Sequence, residues 1–389
     1  MIIFEVFMNN NQDPRRRDSG YSPLGEPQVR RTYTPEEAGH DKHRKPVSRL
    51  SYNLRRRRRP KVNAAAIILT LVFALVIGIC LFLLISGKNR ATPPSETTDA
   101  EVTTEEVTTE DPLPYFTLTL SEEEMYSGSL ILVNAYNEYR FPEDMEGDIV
   151  NIADYKNEYY GMSSYSTSIQ AGKTAIDAFN RLTVDFFNET GFKYMQINSS
   201  YRSKEAQETL YAQYEKDYGV DYAKQYVAIP GKSEHHTGLG IDLNVNRNGA
   251  VSYVESDEGC AWFRENCQKY GFILRYPKDK VHLTGINHES WHYRYVGTPH
   301  AQIMEDMNFC LEEYTEYLQD YTYDGICLGY SEETGVFDMK AEEFYERESA
   351  VMIYFVPAGE KGAETFVPKD CEYSVSGNNV NGYVITCVK

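Results

Sequence analysis

Basic residues are scarce in this 389-residue sequence once the first 63 residues are passed. Residues 1–63 carry 15 Lys or Arg and 7 Asp or Glu, a local charge of +8, whereas the rest of the chain carries 24 basic and 51 acidic residues. Nucleic acid binding needs a basic face that neutralises phosphates. The acidic composition of residues 64–389 therefore argues against a nucleic-acid-binding protein.

Charge is absent altogether from residues 64–86, a run of 23 mostly apolar residues. As a helix this run would be roughly 34 Å long, enough to cross a hydrocarbon core of roughly 30 Å. A cleavable signal peptide has a shorter apolar region closer to the N-terminus, and here the preceding residues include five consecutive arginines, 55–59. We predict a single-pass protein of the cell membrane, with residues 1–63 in the cytoplasm and residues 87–389 outside.

Cysteine is also scarce, and no cysteine lies in a pattern typical of a metal-binding knuckle or a nucleophile. Of the seven cysteines, Cys80 falls in the predicted membrane helix and six lie in the predicted extracellular part, an even number that suits an oxidising location. Cys371 and Cys387 are the best predicted disulfide, because a predicted hairpin brings them together. Cys310 with Cys327 is a second candidate pair.

Composition divides the chain into segments. Residues 1–63 lack sustained hydrophobic periodicity and are predicted to be a disordered basic cytoplasmic tail, followed by the transmembrane helix at 64–86. Residues 87–114 contain two tandem Glu-Val-Thr-Thr-Glu units and are predicted to be an extended acidic stalk. We place the main folded domain at 115–325 and a small C-terminal β appendage at 326–389.

Periodicity and capping residues predict alternating strands and helices in the folded part. The predicted strands cover 129–134, 194–198, 242–245, 272–276 and 351–356, with a hairpin of 371–375 and 383–387. The predicted helices cover 171–189, 203–218 and 256–270, and a further helix runs from Thr298-Pro299 to about Tyr321. We expect an α+β fold in which helices pack on an antiparallel sheet and the functional site lies in a groove.

Two short stretches hold the residue types of a catalytic metal site. One has the pattern Ser-x-His-x-x-Gly-x-Gly-x-Asp and contains His235 and Asp242; the other has the pattern Glu-x-x-His and contains Glu289 and His292. A catalytic zinc takes three protein ligands and keeps one position open, and a nearby carboxylate takes the proton of the attacking water. We predict that His235, Asp242 and His292 bind zinc and that Glu289 is the general base.

Three aromatic or imidazole side chains lie within or directly beside these stretches. Trp291 is predicted to form an apolar wall that strengthens the charges in the site and lies against the substrate. A lone histidine is more often structural than a ligand, so His236 and His288 are expected to be bystanders.

Four motifs together resemble those of VanY-type D-alanyl-D-alanine carboxypeptidases, which belong to a wider group of zinc peptidases that includes the D-Ala-D-Ala dipeptidases. The matching segments, in the family's order and spacing, are 199–203, 233–242, 271–277 and 289–295. Gly240 stands where the family usually has Ala, and Ser290 where Pro is common. Both departures lie beside predicted ligands and not at them.

The resemblance implies a zinc cofactor on the three predicted ligands, with Glu289 as the base. It also implies that Arg202 faces the scissile carbonyl and that Gln207 and Ser233 help to hold the substrate. The implied substrate is a peptidoglycan stem peptide ending in D-Ala-D-Ala, from which the terminal D-Ala is removed.

Three alternatives differ in substrate or class. A peptidoglycan crosslink endopeptidase or a D-Ala-D-Ala dipeptidase would use the same chemistry, and a catalytically inactive wall-binding module would use none. The predicted membrane anchor counts against hydrolysis of a free dipeptide. The complete set of ligands and base counts against an inactive module.

Overall fold

The computed structural model of the chain describes residues 114–143, 148–163 and 168–389. The predicted tail, the predicted membrane helix and nearly all of the predicted stalk lie outside these ranges. Within them, no helix combines the length and the apolar character needed to span a membrane.

The described part of the chain contains helices and mainly antiparallel sheets, as expected for an α+β fold. The strands are β1 (Tyr115–Leu120), β2 (Ile149–Asn151), β3 (Gly161–Met162), β4 (Gln170–Gly172), β5 (Met195–Ser199), β6 (Gly240–Arg247), β7 (Ala250–Ser252), β8 (Phe272–Leu274), β9 (His292–Tyr295), β10 (Cys327–Ser331), β11 (Gly335–Met339), β12 (Val351–Pro357), β13 (Ala363–Pro368), β14 (Glu372–Gly377) and β15 (Gly382–Val388). The α-helices are α1 (Ile152–Tyr155), α2 (Lys173–Thr190), α3 (Lys204–Tyr218), α4 (Val220–Tyr226), α5 (Ala261–Asn266), α6 (Val281–Thr284), α7 (His300–Asp306), α8 (Leu311–Leu318) and α9 (Ala341–Glu346).

The first large sheet carries both stretches that the sequence marks for chemistry. Its spatial order is β3-β5-β6-β9-β8, with β7 paired beside β6. The short β3–β5 pair is parallel, and the other pairs are antiparallel. Helix α2 packs its apolar stripe on this sheet, with Phe179 and Phe186 buried, and ends at Gly191, which has a φ of +70°.

The second large sheet is antiparallel and has the order β11-β10-β12-β15-β14. Its residues Ile353 and Val384 belong to one hydrophobic cluster. That cluster also contains Val296, which directly follows β9, Met304 of α7 and Leu311 of α8. The first described strand, β1, pairs antiparallel with β13. The predicted boundary between residues 325 and 326 stays a prediction, but the C-terminal strands bury apolar surface against the helices that follow the site.

Several predicted elements are confirmed. Helix α2 and strands β5, β6 and β12 lie within a few residues of their predicted positions. Helix α3 begins as predicted, since the Ser203 hydroxyl accepts a hydrogen bond of 3.2 Å from the Ala206 amide. The predicted C-terminal hairpin is present as β14 and β15.

The helix predicted over 256–270 is not continuous. It consists of a short 3₁₀ helix, then α5, then a second short 3₁₀ helix.

The predicted strand over 129–134 is wrong. Its apolar residues are buried, but two of its amides bond singly to the C-terminal hairpin instead of joining a ladder. The Leu130 amide donates to Ser376 Oγ at 2.9 Å, and the Leu132 amide donates to the Asn378 carbonyl at 3.1 Å. Burial without strand pairing explains why the apolar pattern misled the prediction.

The single long helix predicted from Thr298 is also wrong. Helix α7 ends at Asp306, the chain turns through Asn308 with a φ of +51°, and α8 follows from Leu311. Asparagine tolerates this left-handed conformation better than most residues, so it separates two short helices that together bury one apolar face.

The predicted disulfides are not formed. All six cysteines of the described residues are free thiols. The hairpin does form, with Cys371 just before β14 and Cys387 on β15, but Cys371 Sγ donates to the Pro368 carbonyl at 3.3 Å. In the other predicted pair, Cys310 caps α8 and Cys327 Sγ donates to the Thr322 carbonyl at 3.6 Å.

Candidate metal centre

Two of the predicted ligands are placed by the register of neighbouring strands. Asp242 on β6 lies directly opposite His292 on β9, so both side chains leave the same face of the sheet. The distance from His292 Nδ1 to Asp242 Oδ1 is 2.9 Å. One rung of the ladder therefore joins residues that are 50 positions apart in the chain.

The third predicted ligand is placed by a tight turn. His235 lies on a 3₁₀ helix, Glu234–Thr237, which ends at Gly238 with a φ of +71°. A Cβ on Gly238 would lie 2.7 Å from the Gly172 nitrogen, so this position needs glycine for both its conformation and its contact. The turn brings His235 Nε2 to 3.4 Å from Asp242 Oδ2.

In the described part of the chain, His235, Asp242 and His292 form a group that could hold a metal ion, with their ligand atoms all within 4.8 Å of one another. The opposite ring nitrogen of each histidine faces a buried oxygen. His235 Nδ1 lies 2.6 Å from the Ser200 carbonyl, and His292 Nε2 lies 3.4 Å from Glu234 Oε2. Nε2 of His235 and Nδ1 of His292 are thus the nitrogens that face Asp242, and this N/O donor set fits zinc.

The two histidines differ in their electrostatic surroundings. Burial lowers the pKa of His235 to about 3, although Asp242 opposes this shift. Burial also acts to lower the pKa of His292, but the hydrogen bonds to Asp242 and Glu234 outweigh it and raise that pKa to about 9.

Glu289, the predicted base, is half-buried beside this group. Its amide donates to the Tyr276 carbonyl at 3.1 Å, which fixes the backbone just before His292. Burial raises the pKa of Glu289 to about 8, with His292 opposing and Asp242 adding to the shift. The same influences show that Glu289 and the metal-facing residues lie in one electrostatic environment.

Arg202 follows β5 and reaches the same environment. Its guanidinium donates to Gln207 Oε1 at 2.7 Å and to Ser199 Oγ at 3.1 Å. Burial lowers the pKa of Arg202, whereas the carboxylates of Asp242 and Glu289 act to raise it. Of the five N–H donors of an arginine, these two bonds use only two.

The other predicted site residues are placed as follows. Gln207 is buried and bridges Arg202 to the Ala228 carbonyl, to which it donates at 2.7 Å. Ser233 is buried immediately before the turn that carries His235. Trp291 packs on Tyr253 with ring centroids 5.7 Å apart. The structure thus brings Gln207 to Arg202 and places Ser233 and Trp291 next to the ligand-bearing segments.

Among the described residues, neither of the two histidines expected to be bystanders is part of the group formed by His235, Asp242 and His292. His236 accepts from the Gly231 amide at 3.0 Å through Nε2, and its Nδ1 lies 2.7 Å from the Arg202 carbonyl. His288 Nδ1 lies 2.8 Å from the Tyr276 carbonyl, and its Nε2 lies 3.2 Å from Glu255 Oε2.

A buried ion network behind the ligands was missed by the sequence-based predictions. Glu234 Oε1 accepts from Arg275 Nε at 2.6 Å and from an Arg294 guanidinium nitrogen at 2.8 Å. Arg275 also donates twice to Glu312, at 2.9 and 2.7 Å. Burial acts to raise the pKa of Glu234, but Arg275 and Arg294 outweigh it and hold that pKa well below its usual range. The signal in the sequence was the pair of arginines inside otherwise apolar segments.

The structure shows why glycine, and not the family's usual alanine, fits at position 240. A Cβ at this position would lie 2.9 Å from His292 Cε1, closer than such atoms normally approach. The imidazole of His292 therefore occupies space that the family's usual alanine would need.

Comparison with known proteins supports the assignment made from the motifs. A family model described as D-alanyl-D-alanine carboxypeptidase (VanY) matches residues 168–298. A D-alanyl-D-alanine carboxypeptidase of Enterococcus faecium is 35% identical over 269 residues, which cover 69% of this chain and 78% of that protein. The bifunctional D-Ala-D-Ala dipeptidase and D-Ala-D-Ala carboxypeptidase VanXYC of Enterococcus gallinarum is 40% identical over 135 residues, 32% of this chain and 68% of that protein.

One solved structure is similar over most of the described residues. The crystal structure of the vancomycin resistance D,D-dipeptidase VanXYg, in complex with a D-Ala-D-Ala phosphinate analogue, matches with a TM-score of 0.58 and 32% identity, over 71% of this chain and 99% of that one. The α+β fold, the His/Asp metal group and these likenesses define a metallopeptidase. The chain belongs to the VanY family of D-alanyl-D-alanine carboxypeptidases.

Proposed function

We propose that the protein is a zinc-dependent D-alanyl-D-alanine carboxypeptidase that removes the terminal D-Ala from peptidoglycan stem peptides. The observation that carries this proposal is the convergence of His235, Asp242 and His292 within 4.8 Å, next to Glu289 and Arg202. The family supports the reaction, and the donor set supports the metal.

Zinc would be held by Nε2 of His235, the carboxylate of Asp242 and Nδ1 of His292. When bound, zinc lowers the pKa of a coordinated water toward ~7 and polarises a carbonyl group. The charge of the three ligands together is −1, because both histidines bind as neutral imidazoles and Asp242 is ionised.

The protein's own residues move the proton and stabilise the developing charge. Glu289 takes a proton from the attacking water as the water oxygen bonds to the peptide carbonyl carbon. Arg202 donates hydrogen bonds to the carbonyl oxygen as negative charge develops there. Glu289 then gives the proton to the amine of D-Ala as the C–N bond breaks, which leaves a shortened peptide and free D-Ala.

Three further residues hold the reacting groups. Gln207 fixes the Arg202 guanidinium, because it anchors that group to the Ala228 carbonyl. Ser233 offers a hydroxyl beside His235 for the polar end of the substrate, and Trp291 offers an apolar wall.

The proposed location is the outer face of the cell membrane. The apolar run at 64–86 and the arginines at 55–59 support an N-terminus in the cytoplasm. The enzyme would then work on peptides of the cell wall, which lie on that side.

A second candidate is hydrolysis of free D-Ala-D-Ala. The likeness to a solved structure described as a D,D-dipeptidase favours it. Both candidates use the same zinc site and differ in how much peptide precedes the scissile bond.

The full-length chain, purified in detergent, would be given a pentapeptide ending in D-Ala-D-Ala or the free dipeptide, with and without a chelator. Chelator-sensitive D-alanine release from the pentapeptide alone is the expected result. Release from both substrates would establish the second candidate as well. Release from neither, by protein that contains zinc, would overturn the proposal.

A further inference from the structure

Glu234 is a buried carboxylate that contacts a proposed ligand but is not one itself. Its side chain is 0% exposed, and its two oxygens have different partners. Oε1 accepts from Arg275 at 2.6 Å and from Arg294 at 2.8 Å. Oε2 lies 3.4 Å from Nε2 of His292.

The two arginines leave the carboxylate little freedom to rotate. Both arginine side chains are 0% exposed. Arg275 is fixed by Glu312, and Arg294 donates to the backbone carbonyls of Ser129 and Ile131 at 2.9 and 3.0 Å. Since Oε1 is held from two directions, Oε2 must point toward His292.

Stabilisation of the core does not by itself explain why a buried carboxylate and two arginines are placed here. Buried ion pairs are often no more stabilising than apolar side chains of the same volume. A carboxylate that meets the second nitrogen of a metal-binding histidine has a specific effect, because it fixes the ring orientation and the nitrogen that carries the proton.

We infer that Glu234 is a positioning residue that keeps a proton on Nε2 of His292 and so presents the lone pair of Nδ1 to the metal. The inference rests on the proposed zinc site. His235 is arranged in the opposite sense: its Nδ1 faces the Ser200 carbonyl at 2.6 Å, and its Nε2 faces the metal. The two proposed ligands thus bind through different nitrogens, and a different buried oxygen sets each one.

The substitution Glu234→Gln keeps the shape of the side chain almost unchanged but reverses the donor and the acceptor in its hydrogen bond with His292. The buried arginines need an acceptor, so the amide oxygen takes the place of Oε1. The amide NH₂ then faces His292 Nε2 and donates to it, which moves the imidazole proton to Nδ1. We expect the zinc dissociation constant, measured by competition with a chromophoric chelator, to rise about 10–100-fold.

Glu312→Gln is the matched control. It removes the same charge from the same network, since Glu312 also binds Arg275, but Glu312 makes no contact with His292 in the described hydrogen bonds. The full-length control should lose thermal stability as Glu234→Gln does and keep wild-type zinc affinity. Equal zinc affinity in all three proteins would overturn the inference, as would an equal loss in both variants.

A measurement on the wild-type protein covers the case in which Glu234→Gln does not fold. In zinc-loaded protein labelled with ¹⁵N-histidine, the His292 signal should show an Nε2-bound proton and a metal-bound Nδ1. A proton on Nδ1 would overturn the inference. Failure of wild-type protein to bind zinc at all would instead overturn the proposed function, so the two failures can be told apart.

Discussion

The guanidinium of Arg202 is held so that part of it is anchored and part is available to substrate. Gln207 and Ser199 accept from its two terminal nitrogens at 2.7 and 3.1 Å, which leaves three N–H donors. In Arg202→Lys the charge is retained, but a single ammonium replaces the planar fork. It cannot bond both anchors and still donate to the carbonyl oxygen in the same geometry.

Loss of one preorganised donor to a developing oxyanion typically costs about 10²–10³-fold in kcat, or ~2.7–4 kcal/mol. We expect Arg202→Lys to fall in this range. Gln207→Ala should have a smaller effect in the same direction, because it leaves the guanidinium in place and removes one of its anchors.

Steady-state release of D-alanine from a D-Ala-D-Ala pentapeptide would measure the effect, with zinc content determined in the same samples. Zinc should remain bound in Arg202→Lys, since Arg202 is outside the metal group. A variant with wild-type kcat would refute the assignment of Arg202 to the oxyanion. A variant that loses both zinc and activity would show that Arg202 supports the ligands and not the reaction.

Glu289→Gln should lower kcat by about 10²–10⁴-fold with zinc still bound; undiminished hydrolysis would contradict the base assignment. Asp257→Asn should lower the free energy of unfolding at pH 7 by about 1–2 kcal/mol, because a neutral amide replaces the carboxylate that accepts from Arg247. The hydrogen bond from Arg247 lowers the pKa of Asp257 to about 2, so this difference should persist above the unfolded value of about 4 and vanish as pH falls toward 2, as denaturation at several pH values would show. Phe179→Ala, in the core beneath the sheet, should cost about 3–5 kcal/mol in denaturant unfolding, and a change near zero would contradict its burial.

The metal-facing residues could be predicted because their types and spacing are constrained by chemistry. His235, Asp242 and His292 lie in patterns typical of a metal site, and the structure brings their ligand atoms within 4.8 Å of one another. Helix α2 could be predicted because its apolar residues follow the helical period, and strand β12 because it is a continuous run of apolar residues rich in β-branched and aromatic side chains.

Of the elements that were predicted incorrectly, one depends on contacts between distant parts of the chain and another on the conformation of a single residue. Residues 130–133 are buried, and the Leu130 amide bonds to a hairpin more than 240 positions away; the local pattern cannot distinguish this arrangement from that of a strand. The long helix predicted from Thr298 fails for a local reason instead. Asn308 divides α7 from α8 through its own backbone conformation, while the apolar residues continue on both sides.

The pairing within the ion network could not be predicted from the sequence for a reason related to long-range contacts. Glu234, Arg275 and Arg294 come from three separate segments, and each taken alone is an ordinary charged residue. Only the sheet shows that their side chains meet behind the ligands. Charged residues inside apolar strands are a signal of such networks, but they do not reveal which charges pair.

Because Asp242 pairs directly with His292, insertions within the β6–β9 ladder and insertions in the connection between these strands have different consequences. A slip of one residue between β6 and β9 would turn one of the two side chains to the other face of the sheet, so this ladder allows no insertion. The connection between them includes turns, such as the one at Asn248 and Gly249 where φ is positive, that lie outside the β6–β9 pairing. Relatives of this enzyme can therefore lengthen or shorten that connection and keep the metal site, provided that this one rung is conserved.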